Sequence, residues 1–384
     1  MDTTDVMKSI RNLLPAIRER RAEIEQARRI PGDLAKQLCK TKVFTLTVPR
    51  VMGGREASPV EILKVIETVA TADGSAGWCT MVGAGNNVVA GYMSESGARE
   101  VFADPTIPAA GLAAPAGAAV RVDGGVRVKG RWPFASGITH SEWVWAGCMI
   151  MENGQPRMTP MGPDIVHVCM PLSKVTIHDT WYVSGLCGTG SNDFSATDVF
   201  VPEQRIFKLL DPSGHRAEPL FQMPPLHLFV FQLVSVSLGI ARAALDELTE
   251  LAQSKVPSMY MQVLADKPVA QIELARAEAA LGGARSFLYD VVEEMWEVVL
   301  GGNAPTKRQL ALGRIASTHA VETAAMVTRT ANTLAGGSSI YTTSSLQRHT
   351  RDAEAITHHF TVAQHSWEEA GRVLLGREPT IPVF

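Results

Sequence analysis

The apolar residues of this chain change their period twice, and that limits its fold more than any single motif does. Up to about residue 104 they recur at helical spacing: Ile10, Leu13, Leu14 and Ile17, then Val60, Leu63, Ile66, Val69 and Ala70. Ser58-Pro59 is a helix start, with Ser as N-cap and Pro at the first helical position. Asp73-Gly74-Ser75 starts a further helix, rich enough in Gly and Ala that a neighbouring backbone or a ligand must approach it closely. From Pro105 to about Pro202 the pattern becomes that of strands. Turns such as Val122-Asp123-Gly124-Gly125, Glu152-Asn153-Gly154 and Met161-Gly162-Pro163-Asp164 separate Val- and Ile-rich runs. From Pro224 onward the period is helical again. Helices are expected from Pro225 through Ala244, from Pro268 to about Leu300 and from Thr306 to about Leu334. After a break at Gly336-Gly337-Ser338-Ser339, a last one is expected from about Ser344 to Leu375. Helix–sheet–helix order predicts an α+β fold with segregated layers. Its parts are an N-terminal helical domain over 1–104, a middle antiparallel β-barrel or sandwich over 105–210 and a C-terminal up-down helical bundle over 211–384.

The charge balance excludes one class of partner. With 384 residues, a net charge of -3 and a pI near 6.4, the chain has no electrostatic footprint for nucleic acid. No apolar run is expected to reach the ~18 residues that span a bilayer. Met1-Asp2-Thr3-Thr4-Asp5 lacks the order of a signal peptide, so a cytoplasmic protein is expected. The five cysteines are scattered and no Cys/His spacing suggests zinc, so no metal site is expected.

The stretch with the most chemistry runs from Gly130 through Arg131-Trp132-Pro133-Phe134-Ala135-Ser136-Gly137 to His140 and Trp143. Two indoles, a phenyl ring, a hydroxyl and an imidazole lie within a dozen residues. The stretch reads equally as a β-corner whose rings fill a core. Gly188-Thr189-Gly190-Ser191 offers backbone N–H groups and hydroxyls that can hold phosphate, but it follows no βα unit and matches no nucleotide fingerprint. Trp78, Asn86 and Asn87 share the Gly- and Ala-rich helix and are candidates for a substrate pocket; for the two asparagines, bonding loop backbone is the favoured alternative.

The motifs carry a resemblance. Gly130 to Gly137, then Trp181-Tyr182-Val183-Ser184-Gly185-Leu186-Cys187-Gly188-Thr189-Gly190-Ser191-Asn192-Asp193, then Val199-Phe200-Val201-Pro202, resemble the flavin-dependent monooxygenase branch of the acyl-CoA dehydrogenase superfamily. The resemblance covers nearly the whole chain. It implies the superfamily's fold, with a middle β-barrel, a C-terminal four-helix bundle and flavin between them, and assembly as a homotetramer. It also implies the oxygenase component of a two-component enzyme. Reduced flavin, FMN or FAD, and O2 would hydroxylate an aromatic or polycyclic small molecule through a C4a-hydroperoxyflavin. No GxGxxG follows a strand, so reduced flavin would come from a separate NAD(P)H-dependent flavin reductase.

By the same resemblance Ser136 would bond flavin N5, with Trp132 and Phe134 walling the ring. Gly188, Thr189, Gly190, Ser191 and, across a subunit interface, Gln271, Arg276 and Arg285 would contact the flavin phosphates; Arg276 and Arg285 read equally as solvated helix charges. His358 or His359 would deprotonate or orient the substrate, and only one of two adjacent helical positions should face the flavin. His140 is a further candidate catalytic residue, or a structural one. The alternative is an acyl-CoA dehydrogenase oxidising an acyl thioester with bound FAD. Against it, Arg351-Asp352 leads to Phe360 where that enzyme's glutamate base would stand. A non-catalytic flavin-binding relative is the third reading, opposed by the polar turn from Ser136 to His140.

Overall fold

The computed structural model describes residues 3–160 and 162–381; Met1 and Asp2 of the N-terminal stretch and Met161 of the expected turn lie outside them. Six helices come first: α1 (Thr4–Glu19), α2 (Arg21–Ala27), α3 (Gly32–Lys40), α4 (Pro59–Ala70), α5 (Gly74–Asn87) and α6 (Glu95–Val101). The start signals act as expected. Ser58 and Glu61 form a reciprocal capping box on α4, and the Asp73 carboxylate accepts the Ala76 N–H at 2.8 Å to cap α5. α5 is buried along its whole length, which is why it is built of Gly, Ala and small polar residues.

Among the described residues ten strands follow: β1 (Ala110–Val122), β2 (Gly125–Ala135), β3 (Trp143–Glu152), β4 (Gln155–Pro156), β5 (Met158–Thr159), β6 (Gly162–Pro163), β7 (Ile165–Pro171), β8 (Thr176–His178), β9 (Asn192–Pro202) and β10 (Ile206–Phe207). The main sheet runs β10-β7-β3-β1-β2-β9-β8, with β4 on β3. Two expectations are corrected here. The sheet is an open path and not a closed barrel, and it is mixed and not antiparallel. β1 and β2 form the expected hairpin at Gly124, but β3 pairs in parallel with β1. Parallel neighbours need a crossover between them. β2 and the turn after it supply that crossover, carrying the chain to the far side of β1.

Trp132 lies across this crossover. Its indole N–H donates to Gly147 O on β3 at 2.8 Å, its ring stacks on Phe194 at 5.0 Å, and the side chain is fully buried. A Cβ at Gly117 on β1 would lie 2.2 Å from that ring, so glycine is required there. Val126, Val128, Val144, Ile150 and Val168 complete this sheet core.

The remaining helices are α7 (Pro219–Gln222), α8 (Pro225–Ser254), α9 (Pro268–Leu300), α10 (Lys307–Ala335), α11 (Ser345–Thr357) and α12 (His365–Leu374). α10 packs on α8, α9, α11 and α12, while α8 also covers α4 and α5. α8 corrects the expectation about membranes: it is long and apolar enough to cross one by length and composition. Most of its circumference is buried against its neighbours, as the core helix of a folded protein requires. The last expected helix is two. Thr357 ends α11, and a turn over Phe360–Val362 separates it from α12. His359 makes the break: its backbone is extended and its Nδ1 accepts the Thr361 N–H as a cap.

Candidate active site

The turn after β2 meets three other segments. Phe134 has a φ of +61°, a left-handed conformation that is rare for an aromatic residue, and its side chain is 64% exposed beside Trp181. Two residues later the chain turns back under it, with Ser136 N–H donating to Phe134 O at 2.9 Å. The Ser136 hydroxyl is buried. It accepts the Trp78 indole N–H from α5 at 3.0 Å and lies 2.6 Å from the Ser191 hydroxyl. Ser191 in turn lies 2.7 Å from Thr189 Oγ1, which donates to Leu186 O at 2.9 Å.

Trp78 joins this chain of hydroxyls to the C-terminal helices. Its ring centroid is 6.1 Å from that of His359, and His359 is 5.7 Å from Phe229 of α8 and 5.0 Å from Phe360. Burial among these rings lowers the His359 pKa to about 4, because a cation there loses its hydration. The imidazole is therefore neutral near pH 7. Its Nδ1 accepts the Thr361 N–H and lies 2.8 Å from the Thr361 hydroxyl, so the ring proton sits on Nε2. His358 is exposed. The break between α11 and α12 thus separates the two adjacent histidines, turning one inward and leaving the other in solvent.

The other expected site residues stand elsewhere. Trp132 walls nothing outside the sheet core; its indole fills the space over Gly117. His140 is partly buried just past the turn, with its pKa lowered to about 4 by burial. Asn86 bonds Ala109 O, and Asn87 bonds Phe44 O, Ile107 O and the Ala109 N–H, so both hold loop backbone. Gly188, Thr189, Gly190 and Ser191 do not form an open phosphate cradle. The loop is buried against α2: a Cβ on Gly188 would lie 2.1 Å from Ile24 Cγ2, and the Gly188 N–H donates to Ser75. Gln271, Arg276 and Arg285 lie along α9, bonded to Ala265 O, Glu273 and Glu67. Thr361, Phe229 and Trp181 are the residues of this cluster that sequence reasoning assigned no role; Thr361 leaves no signal beyond its place two residues after His359.

A second set of contacts pins the hydroxyl loop from behind. Asp352 of α11 accepts the Leu186 N–H at 2.6 Å, and burial beside Asp73 raises its pKa to about 7. Arg348 and Arg351 pair with Glu25 of α2, and Arg351 also donates to Ser184 O.

The residues present fit a planar, polar-edged ring at the turn. Ser136 offers a hydroxyl there, Phe134 and Trp181 an exposed aromatic edge, and Trp78 with His359 an aromatic wall that carries one imidazole and no carboxylate base. Phe360, where a dehydrogenase's glutamate would stand, is exposed.

Comparison with known proteins gives concordant results. The models "Acyl-CoA dehydrogenase, N-terminal domain" and "Acyl-CoA dehydrogenase, C-terminal domain" match residues 4–103 and 232–364. An indole-3-acetate monooxygenase of Pseudomonas putida is 36% identical over 369 residues, 96% of this chain and 93% of that protein. The flavin-dependent monooxygenase oxygenase subunit HsaA of Rhodococcus jostii (strain RHA1) is 31% identical over 314 residues, 79% of this chain and 81% of its own. A crystal structure of 3-HSA hydroxylase from Rhodococcus sp. RHA1 superposes with a TM-score of 0.91 at 27% identity, covering 99% of each chain.

Proposed function

The chain belongs to the acyl-CoA dehydrogenase family, among its flavin-dependent monooxygenase oxygenase subunits, and from that premise we propose that it oxygenates an aromatic substrate bound between Trp78, Phe229 and His359, beside a flavin ring seated at Ser136. One observation carries the proposal. The Trp78 indole donates to Ser136 on one side and lies against His359 on the other, so the flavin-facing hydroxyl and the substrate-facing imidazole share one wall.

The flavin, when bound in its reduced form, supplies the activation of O2 from which one oxygen atom passes to the substrate. The chain's own residues do the rest. Ser136 would offer its hydroxyl to the ring's polar edge, and Phe134, held in its left-handed turn, and Trp181 would flank the ring. The aromatic walls at Trp78 and Phe229 keep water from the reacting face. His359, neutral and protonated on Nε2, orients the substrate by donating that hydrogen to a polar atom on it. The substrate class rests on the relatives, and the name of the Pseudomonas putida protein makes an indole-sized aromatic acid the first candidate.

The finer assignments belong to the same reading. The chain works in the cytoplasm with a separate NAD(P)H-dependent reductase, as a homotetramer whose subunits divide at 1–104, 105–210 and 211–384, the last containing a four-helix bundle. Gln271, Arg276 and Arg285 of one copy then reach the phosphates of FMN or FAD bound in another.

The test mixes the protein anaerobically with reduced FMN or FAD and indole-3-acetate, then adds isotopically labelled O2. A product carrying one labelled oxygen atom is expected. Stoichiometric peroxide with no product from indolic or phenolic acids, together with acyl-CoA-dependent reduction of an acceptor dye, would return the chain to the dehydrogenases.

A further inference from the structure

We propose that Ser191 and Thr189 are positioning residues that fix the Ser136 hydroxyl as a hydrogen-bond acceptor, and so set the site's preference for a flavin that carries a proton on N5. The inference rests on the reading that Ser136 faces the flavin ring.

The argument is a count of protons. Four oxygens lie in a row: Ser136 Oγ, Ser191 Oγ, Thr189 Oγ1 and Leu186 O. Their successive separations are 2.6, 2.7 and 2.9 Å. All three hydroxyls belong to buried residues, Ser136 at 7%, Ser191 at 3% and Thr189 at 1% exposure, so their contacts with one another dominate their bonding. Three contacts between oxygens need three protons, and the three hydroxyls carry one each. The carbonyl of Leu186 can only accept, so Thr189 donates to it. Thr189 then accepts from Ser191, and Ser191 from Ser136.

The other end of the row is fixed as well. The Trp78 indole N–H can only donate, and it does so to Ser136 at 3.0 Å. A donor-only group at one end and an acceptor-only group at the other leave no second arrangement that satisfies every contact. Ser136 therefore has its proton committed to Ser191 and one lone pair occupied by Trp78. What it presents to the site is its second lone pair.

That lone pair discriminates between oxidation states. Reduced flavin bears N5–H and can donate to it. Oxidised flavin bears a bare lone pair at N5, which would face another lone pair and lose its hydrogen bond. An unmade hydrogen bond at a buried polar atom costs ~1–3 kcal/mol, of which the low end is roughly five- to tenfold in affinity. The site thus refuses the product of flavin oxidation and accepts the form a reductase delivers.

The test measures dissociation constants of the full chain for oxidised and for anaerobically reduced FMN and FAD, and takes their ratio. Ser191→Ala frees the Ser136 proton to turn toward the ring. It should lower the oxidised-to-reduced ratio roughly tenfold, mainly by tightening oxidised flavin. A tenfold change in that ratio lowers the two-electron potential of bound flavin by about 30 mV. Thr189→Val, which keeps the side-chain shape, should act in the same direction, because Ser191 can then donate to Ser136. Ser136→Ala should remove the preference that the hydroxyl creates. Ser191→Ala and Thr189→Val proteins that weaken both constants equally, at an unchanged ratio, would mean the two residues only hold the loop, and would overturn the proposal. If Ser136→Ala itself leaves both constants unchanged, the ring does not sit at Ser136 and the site assignment fails before the proton count does.

Discussion

Changing His359 to Asn asks whether the imidazole in the site is neutral while the enzyme works. Trp78, Phe229 and Phe360 pack around it, and that burial moves its pKa from 6.5 to about 4. At pH 6 an ordinary imidazole is about three-quarters charged; one with a pKa near 4 is charged about one time in a hundred. The shift corresponds to roughly 3 kcal/mol between the two protonation states. The sign follows from the direction. The folded pKa lies below the unfolded one, so the neutral ring's contribution is complete above about pH 6.5 and is lost as pH falls through 6.5 toward 4. Two measurements read this. The imidazole resonance that disappears in His359→Asn should not titrate between pH 5.5 and 8 in the parent protein. Denaturant unfolding should lose roughly 3 kcal/mol less between pH 7 and pH 4 in the variant than in the parent. A resonance assigned to His359 with a midpoint near 6.5 would refute the neutral-donor role and restore the imidazole as a base that titrates in the working range.

Two further substitutions separate packing from binding. Trp132→Phe removes the bond to Gly147 O and part of a buried ring, so it should cost about 1–3 kcal/mol in chemical denaturation while leaving flavin affinity unchanged; weakened flavin binding at full stability would put Trp132 back at the ring. Gly188→Ala drives a methyl group to 2.1 Å from Ile24 Cγ2 and should destabilise by about 1–3 kcal/mol, with Ile24→Ala in the same chain costing less than it does alone; a single variant that melts like the parent would show that the loop does not rest on α2 as described.

The layers and the helix starts were legible because they are local. Ser58-Pro59 and Asp73 announce α4 and α5 through caps that act within one turn, and the Asp123-Gly124-Gly125 hairpin acts within four residues. The parallel pairing of β3 with β1 was not legible. Strand period is the same for either direction, and only the path of the crossover decides it. The break at His359 also escaped the pattern. It contains neither Gly nor Pro, and its cap is a histidine that bonds an amide two residues on. Within the site, the sequence suggested Ser136 for the flavin ring and Ser191 for the flavin phosphates, and the 2.6 Å contact between their hydroxyls left no local signal. Glycines 188 and 190 look alike whether they leave room for a ligand or for a neighbouring helix, and here the neighbour is α2. Trp132 and Trp78 are both buried indoles, and nothing local distinguishes the one whose N–H meets a carbonyl in the sheet from the one whose N–H meets a hydroxyl at the turn.

The contacts behind the hydroxyl loop have a consequence for the order of folding. Glu25 meets Arg348 and Arg351 across 323 and 326 positions of sequence, and Leu186 meets Asp352 across 166. Contacts of such separation are slow to close and are made after local structure exists. The β1–β2 hairpin can form as soon as its own residues are available. The loop carrying Ser191 gains its contacts to Asp352 and Arg351 only once α11 has been synthesised and has docked. A nascent chain can therefore possess its sheet before the contacts between α2 and α11 that back the hydroxyl loop are made.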